Sequence, residues 1–371
     1  MFMRPFRAAV FGATGRGDYG HGLDVAFRDH PALQLVAVAD PDEAGRHKAA
    51  ERLRVSSTYA DYRALLDKEK PRFVAVCPRW IDHHFALLSA CVERGIHVFT
   101  EKPLVPTLAD CDALRSACDR THAKVAMAFQ TRYSKRFLHC EKMIADGAIG
   151  EVLELRARGK EDARAGGEDL FVLGTHVLDM MCAIAGAPSW CMASVTQGGH
   201  PITADGVRPG NEGLGPLAGD RIDAMFGLGP RGTIGHFASV RSDPASRRFG
   251  LTVFGTKGAI FIGMGADPPA WHVADPTWLA TAAPVVPILP TPDSNAGAAF
   301  AAANLAIVDD LVRAVENDTQ PRAGLAEGIN AVEMVLAVFA AQVKGTRVEM
   351  PLSDRASHPL ARLAGGRIDA R

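Results

Sequence analysis

The sequence predicts an α/β domain of the Rossmann type followed by an α+β domain with an open, mainly antiparallel sheet. Two observations predict this fold class. In the first third of the chain, apolar strand-like runs alternate with helix-like segments, as in a parallel, doubly wound sheet. After Gly150, strand-like runs follow one another without helices between them, as in an antiparallel sheet with one packed and one open face.

Length and composition set the first limits. A chain of 371 residues exceeds what one core usually supports, so two domains are expected. With 41 Lys+Arg, 42 Asp+Glu and a net charge of -1, neither nucleic acid nor a membrane is expected as a partner. The seven cysteines are scattered without C-x-x-C pairs, which predicts no disulfide framework, no metal site and a reducing cytoplasmic location.

A glycine-rich turn follows the first apolar run, Phe6 to Phe11. The turn, Gly12-Ala13-Thr14-Gly15-Arg16-Gly17, precedes a helix-like segment that starts near Leu23. Strand, glycine turn and helix in this order predict a dinucleotide site, where backbone N–H groups and the helix N-terminus hold a pyrophosphate. Gly12 and Gly17 fit the G-x-G-x-x-G template, whereas Thr14 stands at its second glycine. Either Gly15 restores the clearance or the cofactor sits differently.

An acidic residue ends the second strand-like run, Leu33 to Ala39. Asp40 follows that run, about 20 residues beyond the glycine turn, where a carboxylate accepts hydrogen bonds from the adenosine ribose and repels a 2′-phosphate. NAD is therefore predicted as the cofactor and NADP is less favoured, although Arg46 nearby keeps some use of NADP open. Asp40 also suits a turn, and both roles are compatible.

Two further runs end at residues that carry chemistry. Phe73 to Cys77 ends at Pro78, and Ile96 to Thr100 leads into Glu101-Lys102-Pro103. Because ligands of doubly wound sheets bind at the carboxyl ends of the strands, Lys102 is predicted to point into the same crevice as Gly12 and Asp40. A buried lysine there can exchange a proton with a substrate hydroxyl. The alternative is a solvated pair that caps a strand.

These segments resemble the Gfo/Idh/MocA oxidoreductase family. The resemblance rests on Cys77-Pro78-Arg79, His84, Gly95 to Val98 and Glu101-Lys102-Pro103. Arg79 replaces the usual asparagine, and the spacing to His84 is longer than usual. The resemblance implies that further residues help to bind NAD, namely Pro78, Arg79, His84, Glu101, Lys102 and Gln130.

The resemblance extends over the rest of the chain. Val125 to Tyr133 is similar to the segment that closes the nucleotide domain, and Ala148 to Val152 to the opening of the second domain. The predicted domains are therefore 1–125 (NAD-binding), 126–350 (substrate-binding and oligomerisation) and 351–371 (tail). Helices near 302–316 and 326–344 are expected to pack back on the first domain, and Ser194 to Gly219 is predicted to be a long loop. The open sheet face predicts a homodimer or homotetramer.

Gly174-Thr175-His176-Val177-Leu178-Asp179 is the second informative segment. His176 and Asp179 lie three positions apart on one side of a mostly apolar helix. The resemblance implies that His176 joins Lys102 at the substrate hydroxyl, and Asp179 is predicted to orient His176. Many family members carry an aspartate four residues before this histidine, where this chain has Val172. A buried hydrogen-bonded pair without catalytic role is the alternative.

Several polar residues are candidates for binding a substrate. They are Lys102, Arg132, Tyr133, Lys160, Asp162, Thr175 and His176. For those outside the catalytic pair, a solvated surface position is the alternative.

The predicted function is that of an NAD-dependent oxidoreductase. It would move a hydride between a ring hydroxyl or ketone of a sugar, glycoside or cyclitol and the nicotinamide. One alternative is a redox-neutral sugar elimination or glycoside hydrolysis through a transient keto-sugar. Another is a catalytically silent dinucleotide- or sugar-binding protein.

Overall fold

The computed structural model describes residues 5–241, 248–278, 283–288 and 296–363. The chain divides into two compact units, Met1–Gln130 with Gly297–Ile329, and Thr131–Ala296 with Asn330–Arg371. Residues 364–371 of the predicted tail lie outside the described residues, whereas 351–363 belong to the second unit.

The first unit contains a six-stranded sheet in the order β3-β2-β1-β4-β5-β6, in which every neighbouring pair is parallel. Its strands are β1 Phe6–Phe11, β2 Leu33–Ala39, β3 Ser57–Tyr59, β4 Phe73–Val76, β5 His97–Thr100 and β6 Val125–Met127. This strand order defines the Rossmann fold and confirms the predicted class. The short edge strand β3 was absent from the sequence prediction because three residues are too few to show a period.

Helices alternate with these strands. They are α1 Leu23–Asp29, α2 Glu43–Leu53, α3 Tyr62–Glu69, α4 His84–Val92 and α5 Leu108–Thr121, with a 3₁₀ turn at Ile81–His83. The side chains of Asp42, Asp61 and Thr107 cap the N-termini of α2, α3 and α5. Helix α1 begins only after Gly22, so that an 11-residue loop, 12–22, separates it from β1.

The second unit is built on a mixed, mainly antiparallel sheet in the order β17-β16-β15-β14-β7-β13-β12-β8-β18, with β9 paired to β8. Of the strand pairs that the described residues form in this sheet, only β13 with β7 is parallel. The strands are β7 Val152–Arg158, β8 Pro188–Gln197, β9 His200–Pro201, β10 Arg208–Pro209, β11 Pro216–Leu217, β12 Arg221–Leu228, β13 Thr233–Val240, β14 Gly250–Gly255, β15 Gly258–Gly263, β16 Ala270–Val273, β17 Val285–Pro287 and β18 Val348–Glu349. The segment predicted as one loop, Ser194 to Gly219, begins inside β8 and contains β9, β10 and β11, so that prediction was wrong. Glycine and proline residues lie in and between these short strands, so the sequence pattern indicated a loop.

The remaining helices complete the chain. They are α6 Gln130–Tyr133, α7 Lys135–Ala145, α8 Gly167–Asp169, α9 Thr175–Ala185, α10 Ala296–Glu316, α11 Leu325–Lys344 and α12 Pro359–Leu363. Two 3₁₀ turns lie at Ala204–Gly206 and Asn211–Gly213, and a π turn at Leu170–Gly174 leads directly into α9. Among the described residues, α11 alone is long and apolar enough to cross a membrane, and 72% of its apolar window is buried inside the protein, as in a core helix.

The two faces of the large sheet differ. Buried side chains such as Leu155 and Phe237 face α9, whose preceding Gly174 approaches the Phe237 ring. The strand registers place another set in one row on the opposite face: Met192, Met225, His236, Arg156, Thr252, Phe261 and Trp271. Met192 in this row is 49% exposed.

Candidate active site

A cavity of about 250 Å³ opens in the first unit where β1, β2 and β4 end. Its lining includes Gly12, Asp40, Pro41, Tyr62, Pro78 and Trp80. Aromatic and proline side chains give the cavity apolar walls, and Asp40 gives one wall a carboxylate. The carboxyl end of a doubly wound sheet is where such folds bind nucleotides, so the cavity suits an adenosine group.

The chain itself supplies donors to both oxygens of the Asp40 carboxylate. Oδ2 accepts from the Thr14 hydroxyl at 2.7 Å and the Tyr19 hydroxyl at 2.9 Å, and Oδ1 accepts from the Asp42 N–H at 2.9 Å. The Thr14 N–H lies 3.2 and 3.1 Å from the two oxygens. Thr14, the departure from the glycine template, is therefore a partner of Asp40.

The glycine loop folds back over the ends of the strands. The Tyr19 ring lies so close to Gly12 that a Cβ there would come within 2.3 Å of it. Gly17 has φ +88° and would place a Cβ 2.4 Å from the Arg79 amide nitrogen, so only glycine fits. A Cβ added at Gly15, which has φ +79°, would meet no atom within 4 Å.

The Glu101-Lys102-Pro103 turn is buried, which excludes the alternative of a solvated pair. Glu101 is 0% exposed and Lys102 7%, and the Lys102–Pro103 peptide is cis. Glu101 Oε1 accepts from His21 Nδ1 at 2.7 Å and from the His21 N–H at 2.9 Å. Burial by itself raises the pKa of Glu101, but the His21 hydrogen bonds and the Lys102 charge outweigh it and hold that pKa at about 2.

His84 links two strand ends. Its Nε2 lies 2.7 Å from the Pro78 carbonyl oxygen, and its Nδ1 lies 2.9 Å from that of Pro103 and 3.1 Å from that of Leu104. Both ring nitrogens of this fully buried side chain thus face the protein backbone. The arrangement suits a residue that positions the turn carrying Lys102 more than one that contacts a cofactor directly.

Gln130, which ends the first of the two segments of the first unit, belongs to a chain of hydrogen bonds. Its amide donates to Asn304 Oδ1 at 3.1 Å, and the Asn304 amide donates to the His21 carbonyl at 2.9 Å. Gln130 therefore supports the loop that holds His21. The sequence offered no signal for His21 or Asn304.

Helix α9 of the second unit carries the other predicted catalytic residues. Thr175 and Asp179 are buried and His176 is half-buried. Asp179 Oδ1 accepts from Arg132 Nη1 at 2.6 Å, an ion pair that neutralises Asp179 and fixes Arg132. Tyr133, the next residue after Arg132, is buried. The π turn before α9 is a form that occurs frequently at functional sites.

A buried carboxylate, Asp169, ties the end of β7 to β13. It accepts from the N–H groups of Lys160 and Glu161 at 3.2 and 3.1 Å and from the Ser239 hydroxyl at 2.6 Å. Burial raises the pKa of Asp169 despite these hydrogen bonds. Val172, at the position where the family resemblance led us to expect an aspartate, is buried as well. Asp169 thus has a structural task at this strand end.

The other candidates at the end of β7 form ion pairs. Asp162 accepts from Arg164 at 2.9 Å and pairs with Lys160 at 3.2 Å. The Arg164 hydrogen bond holds the pKa of Asp162 well below its usual range. Among the described residues, no group of three or more His, Cys, Asp or Glu side chains is placed to hold a metal ion.

Comparisons with known proteins agree with this architecture. Residues 6–129 match the model of the oxidoreductase family with an NAD-binding Rossmann fold, and residues 137–261 match the GFO/IDH/MocA C-terminal domain. Fold and site thus define a two-domain, nucleotide-binding oxidoreductase. The chain belongs to the Gfo/Idh/MocA family, as its motifs indicated.

Curated relatives include two sugar or cyclitol dehydrogenases. Myo-inositol 2-dehydrogenase of Thermotoga maritima is 28% identical over 61% of this chain and 67% of its own length. D-glucoside 3-dehydrogenase of Escherichia coli is 30% identical over 51% of this chain and 56% of its own length. The chain thus matches only about half to two thirds of the length of these relatives.

Among solved structures, levoglucosan dehydrogenase in complex with NADH and levoglucosan has a TM-score of 0.72 at 19% identity. The alignment covers 94% of this chain and 100% of that one. An NAD-binding oxidoreductase from Klebsiella pneumoniae has a TM-score of 0.74 at 20% identity, covering 95% of this chain and 100% of that one. At this identity the likeness establishes the fold.

Proposed function

We propose that the chain is an NAD-dependent dehydrogenase that oxidises a ring hydroxyl of a sugar, glycoside or cyclitol, or reduces the corresponding ketone. The observation that carries the proposal is the buried Lys102 at the carboxyl edge of the sheet that forms the adenosine-sized cavity. The names of the curated relatives, dehydrogenases of myo-inositol and D-glucoside, support the substrate class.

The cavity residues fit a dinucleotide. Gly12 and Asp40 line it, Trp80 and Pro41 give it apolar walls, and the open space at Gly15 leaves the tip of the glycine loop accessible. When bound, NAD supplies the hydride acceptor at its nicotinamide ring. We assign Gly12, Thr14, Gly15, Gly17 and Asp40 to its binding. The remaining predicted cofactor residues would shape the same region. They are Pro78, Arg79, His84, Glu101 and Gln130.

Lys102 and His176 share the proton chemistry in this proposal. Lys102 polarises the oxygen of the substrate hydroxyl, and His176 takes the single hydroxyl proton and passes it to water. The electron pair of the O–H bond then forms the carbonyl, and the electron pair of the C–H bond would leave as the hydride. Asp179, already paired with Arg132, holds the helix turn that carries His176.

The substrate would be recognised by polar side chains of the second unit. Arg132, Tyr133, Lys160, Asp162 and Thr175 are the candidates. Thr175 is fully buried, and its hydroxyl has no hydrogen-bond partner in the part of the chain that the structure describes. Asp162 accepts from Arg164 and pairs with Lys160, so a sugar hydroxyl would take the place of one of these partners.

The test is a panel of polyols, glycosides and cyclitols with purified protein and NAD, followed by NADH absorbance. Lys102→Ala should lower kcat by about 10²- to 10⁴-fold, while Lys135→Ala on α7 serves as the matched control and should leave kcat unchanged. A Lys102→Ala variant with wild-type turnover would contradict the assignment. Product formed without net NADH would favour the redox-neutral alternative, and NAD binding without any turnover would favour the silent binding protein.

A further inference from the structure

The departure from the glycine template at Thr14 has a structural role. Its hydroxyl and N–H both reach the carboxylate of Asp40, the residue expected to discriminate between the two nicotinamide dinucleotides. Tyr19, which lies in the same loop, donates its hydroxyl to the same carboxylate. One loop therefore supplies three of the hydrogen bonds that hold Asp40.

All donors to this carboxylate among the described residues are neutral. They are the Thr14 N–H and hydroxyl, the Tyr19 hydroxyl and the Asp42 N–H. A neutral dipole fixes a carboxylate in place without cancelling its charge, whereas an ion pair would do both. The Asp40 carboxylate is thus held by neutral dipoles among the described residues and not by an ion pair.

The cations near Asp40 are engaged elsewhere. Arg46 Nη1 donates to the Asp40 backbone carbonyl at 2.6 Å. Arg52 stacks on the Tyr19 ring, with its guanidinium carbon 4.7 Å from the ring centroid, and pairs with Asp24 at 2.6 Å. Arg16 stacks on Trp80 and pairs with Asp82. Arg52 and Arg16 are therefore ion-paired with other carboxylates, and Arg46 is held at the Asp40 backbone and not at its carboxylate.

The partial burial of Tyr19 agrees with a fixed donor. Burial first, and then the Asp40 charge, raise the pKa of Tyr19 above its ordinary value, so its hydroxyl keeps its proton at neutral pH and donates it to Asp40. A threonine hydroxyl does not ionise either.

We propose that Thr14 and Tyr19 are positioning residues for cofactor selectivity: they fix the uncompensated Asp40 carboxylate at the adenosine cavity, so that the chain accepts NAD and rejects the 2′-phosphate of NADP. This inference rests on the proposed dehydrogenase function. Loss of either hydroxyl removes one hydrogen bond to Asp40 and lets its carboxylate rotate away from the cavity or pair with a cation. Either change weakens the discrimination against NADP.

The experiment measures the dissociation constants of NAD and NADP for the full-length protein by calorimetry. In the wild type, NADP should bind about tenfold or more weakly than NAD. Thr14→Val and Tyr19→Phe should each lower the NADP/NAD ratio of dissociation constants by about threefold to tenfold, which lies within the range for one lost hydrogen bond of ordinary strength. Asp40→Asn should bring the ratio close to one.

Conservative variants separate this role from a merely structural one. Thr14→Ser keeps the hydroxyl and should keep the wild-type ratio, even where its melting temperature falls as far as that of Thr14→Val. Tyr59→Phe is the matched control, because it removes another tyrosine-to-carboxylate hydrogen bond, the 2.6 Å bond to Glu69, from a residue that does not line the cavity. It should leave the ratio unchanged.

The outcomes are distinguishable. A wild type that prefers NAD, with a ratio unmoved by Thr14→Val, Tyr19→Phe or Asp40→Asn, would overturn this inference and leave the dehydrogenase proposal intact. A wild type that prefers NADP, or a Thr14→Ser variant that loses the preference, would overturn it too. A wild type that binds neither dinucleotide would overturn the proposed function and this inference together.

Discussion

At the scale of single residues, the site depends on buried charges that are satisfied locally. Glu101 is buried, yet it remains a carboxylate because His21 donates to it twice and Lys102 follows it. An unpartnered buried carboxylate would cost several kcal/mol and would become protonated instead. Glu101 therefore stabilises the lysine-bearing turn only while it keeps its charge.

This charge predicts a dependence of stability on pH. The folded pKa of Glu101, about 2, lies below its ordinary value of 4.5, so its contribution is complete above pH 4.5 and is lost as the pH falls towards 2. A shift of this size corresponds to about 3 kcal/mol of unfolding free energy. We expect Glu101→Gln to lose about 3 kcal/mol less than the wild type between pH 5 and pH 2, measured by urea unfolding.

The exposed Glu151 provides the control for this experiment. Glu151→Gln should follow the wild-type curve, because its side chain lies at the surface. Parallel curves for the wild type and Glu101→Gln across this pH range would contradict the assigned role of Glu101.

At the scale of elements, the loop between β1 and α1 is the distinctive feature. Gly12 lies against the Tyr19 ring and Gly17 against the Arg79 backbone, so the loop is packed at both ends. Its middle, at Gly15, is open. Glycine is thus required at positions 12 and 17 because a Cβ would clash, whereas at position 15 it is favoured mainly because of the positive φ.

A pair of substitutions tests this difference. Gly17→Ala combines a positive φ with a Cβ 2.4 Å from the Arg79 nitrogen, so it should cost more than about 2 kcal/mol of unfolding free energy. Gly15→Ala has the same sign of φ and free space, so it should cost about 1 kcal/mol. Urea unfolding of both variants gives the comparison, and equal losses would show that the close approach at Gly17 does not matter.

At the scale of the whole molecule, we propose that the open sheet face forms the interface of a homodimer or homotetramer. The row that contains Met192, Met225, Phe261 and Trp271 crosses the sheet on the face opposite α9, with Arg156 and Thr252 between its apolar members. Apolar side chains aligned across many strands suggest a surface that is covered in the assembled protein.

Charged substitutions in this row should dissociate the assembly. Met192→Glu with Phe261→Glu places two carboxylates in the row, and we expect sedimentation velocity to show the mass of a monomer where the wild type shows a dimer or larger. Leu138→Glu, on α7 and 39% exposed, is the control and should leave the mass unchanged. A monomeric wild type, or a double variant of unchanged mass, would contradict the proposed interface.

The sequence by itself determined the main strands of the nucleotide-binding sheet, the two long C-terminal helices and the family. Local periodicity and short motifs are properties of neighbouring residues, so they can be recognised in the sequence. The glycine turn and the Glu-Lys-Pro segment lie at strand ends, as expected. Short or glycine-rich strands, such as β3 and those within Ser194 to Gly219, have too weak a local pattern to be predicted in this way.

Only the tertiary structure decided which side chains meet. His21 and Glu101 are 80 positions apart, and Asp169 and Ser239 are 70 apart. Thr14 looked like a defect of the glycine template until Asp40, 26 positions away, was seen to accept its hydrogen bonds. Local patterns cannot specify such pairs, because each depends on how the chain closes long loops and on which buried polar groups then need partners.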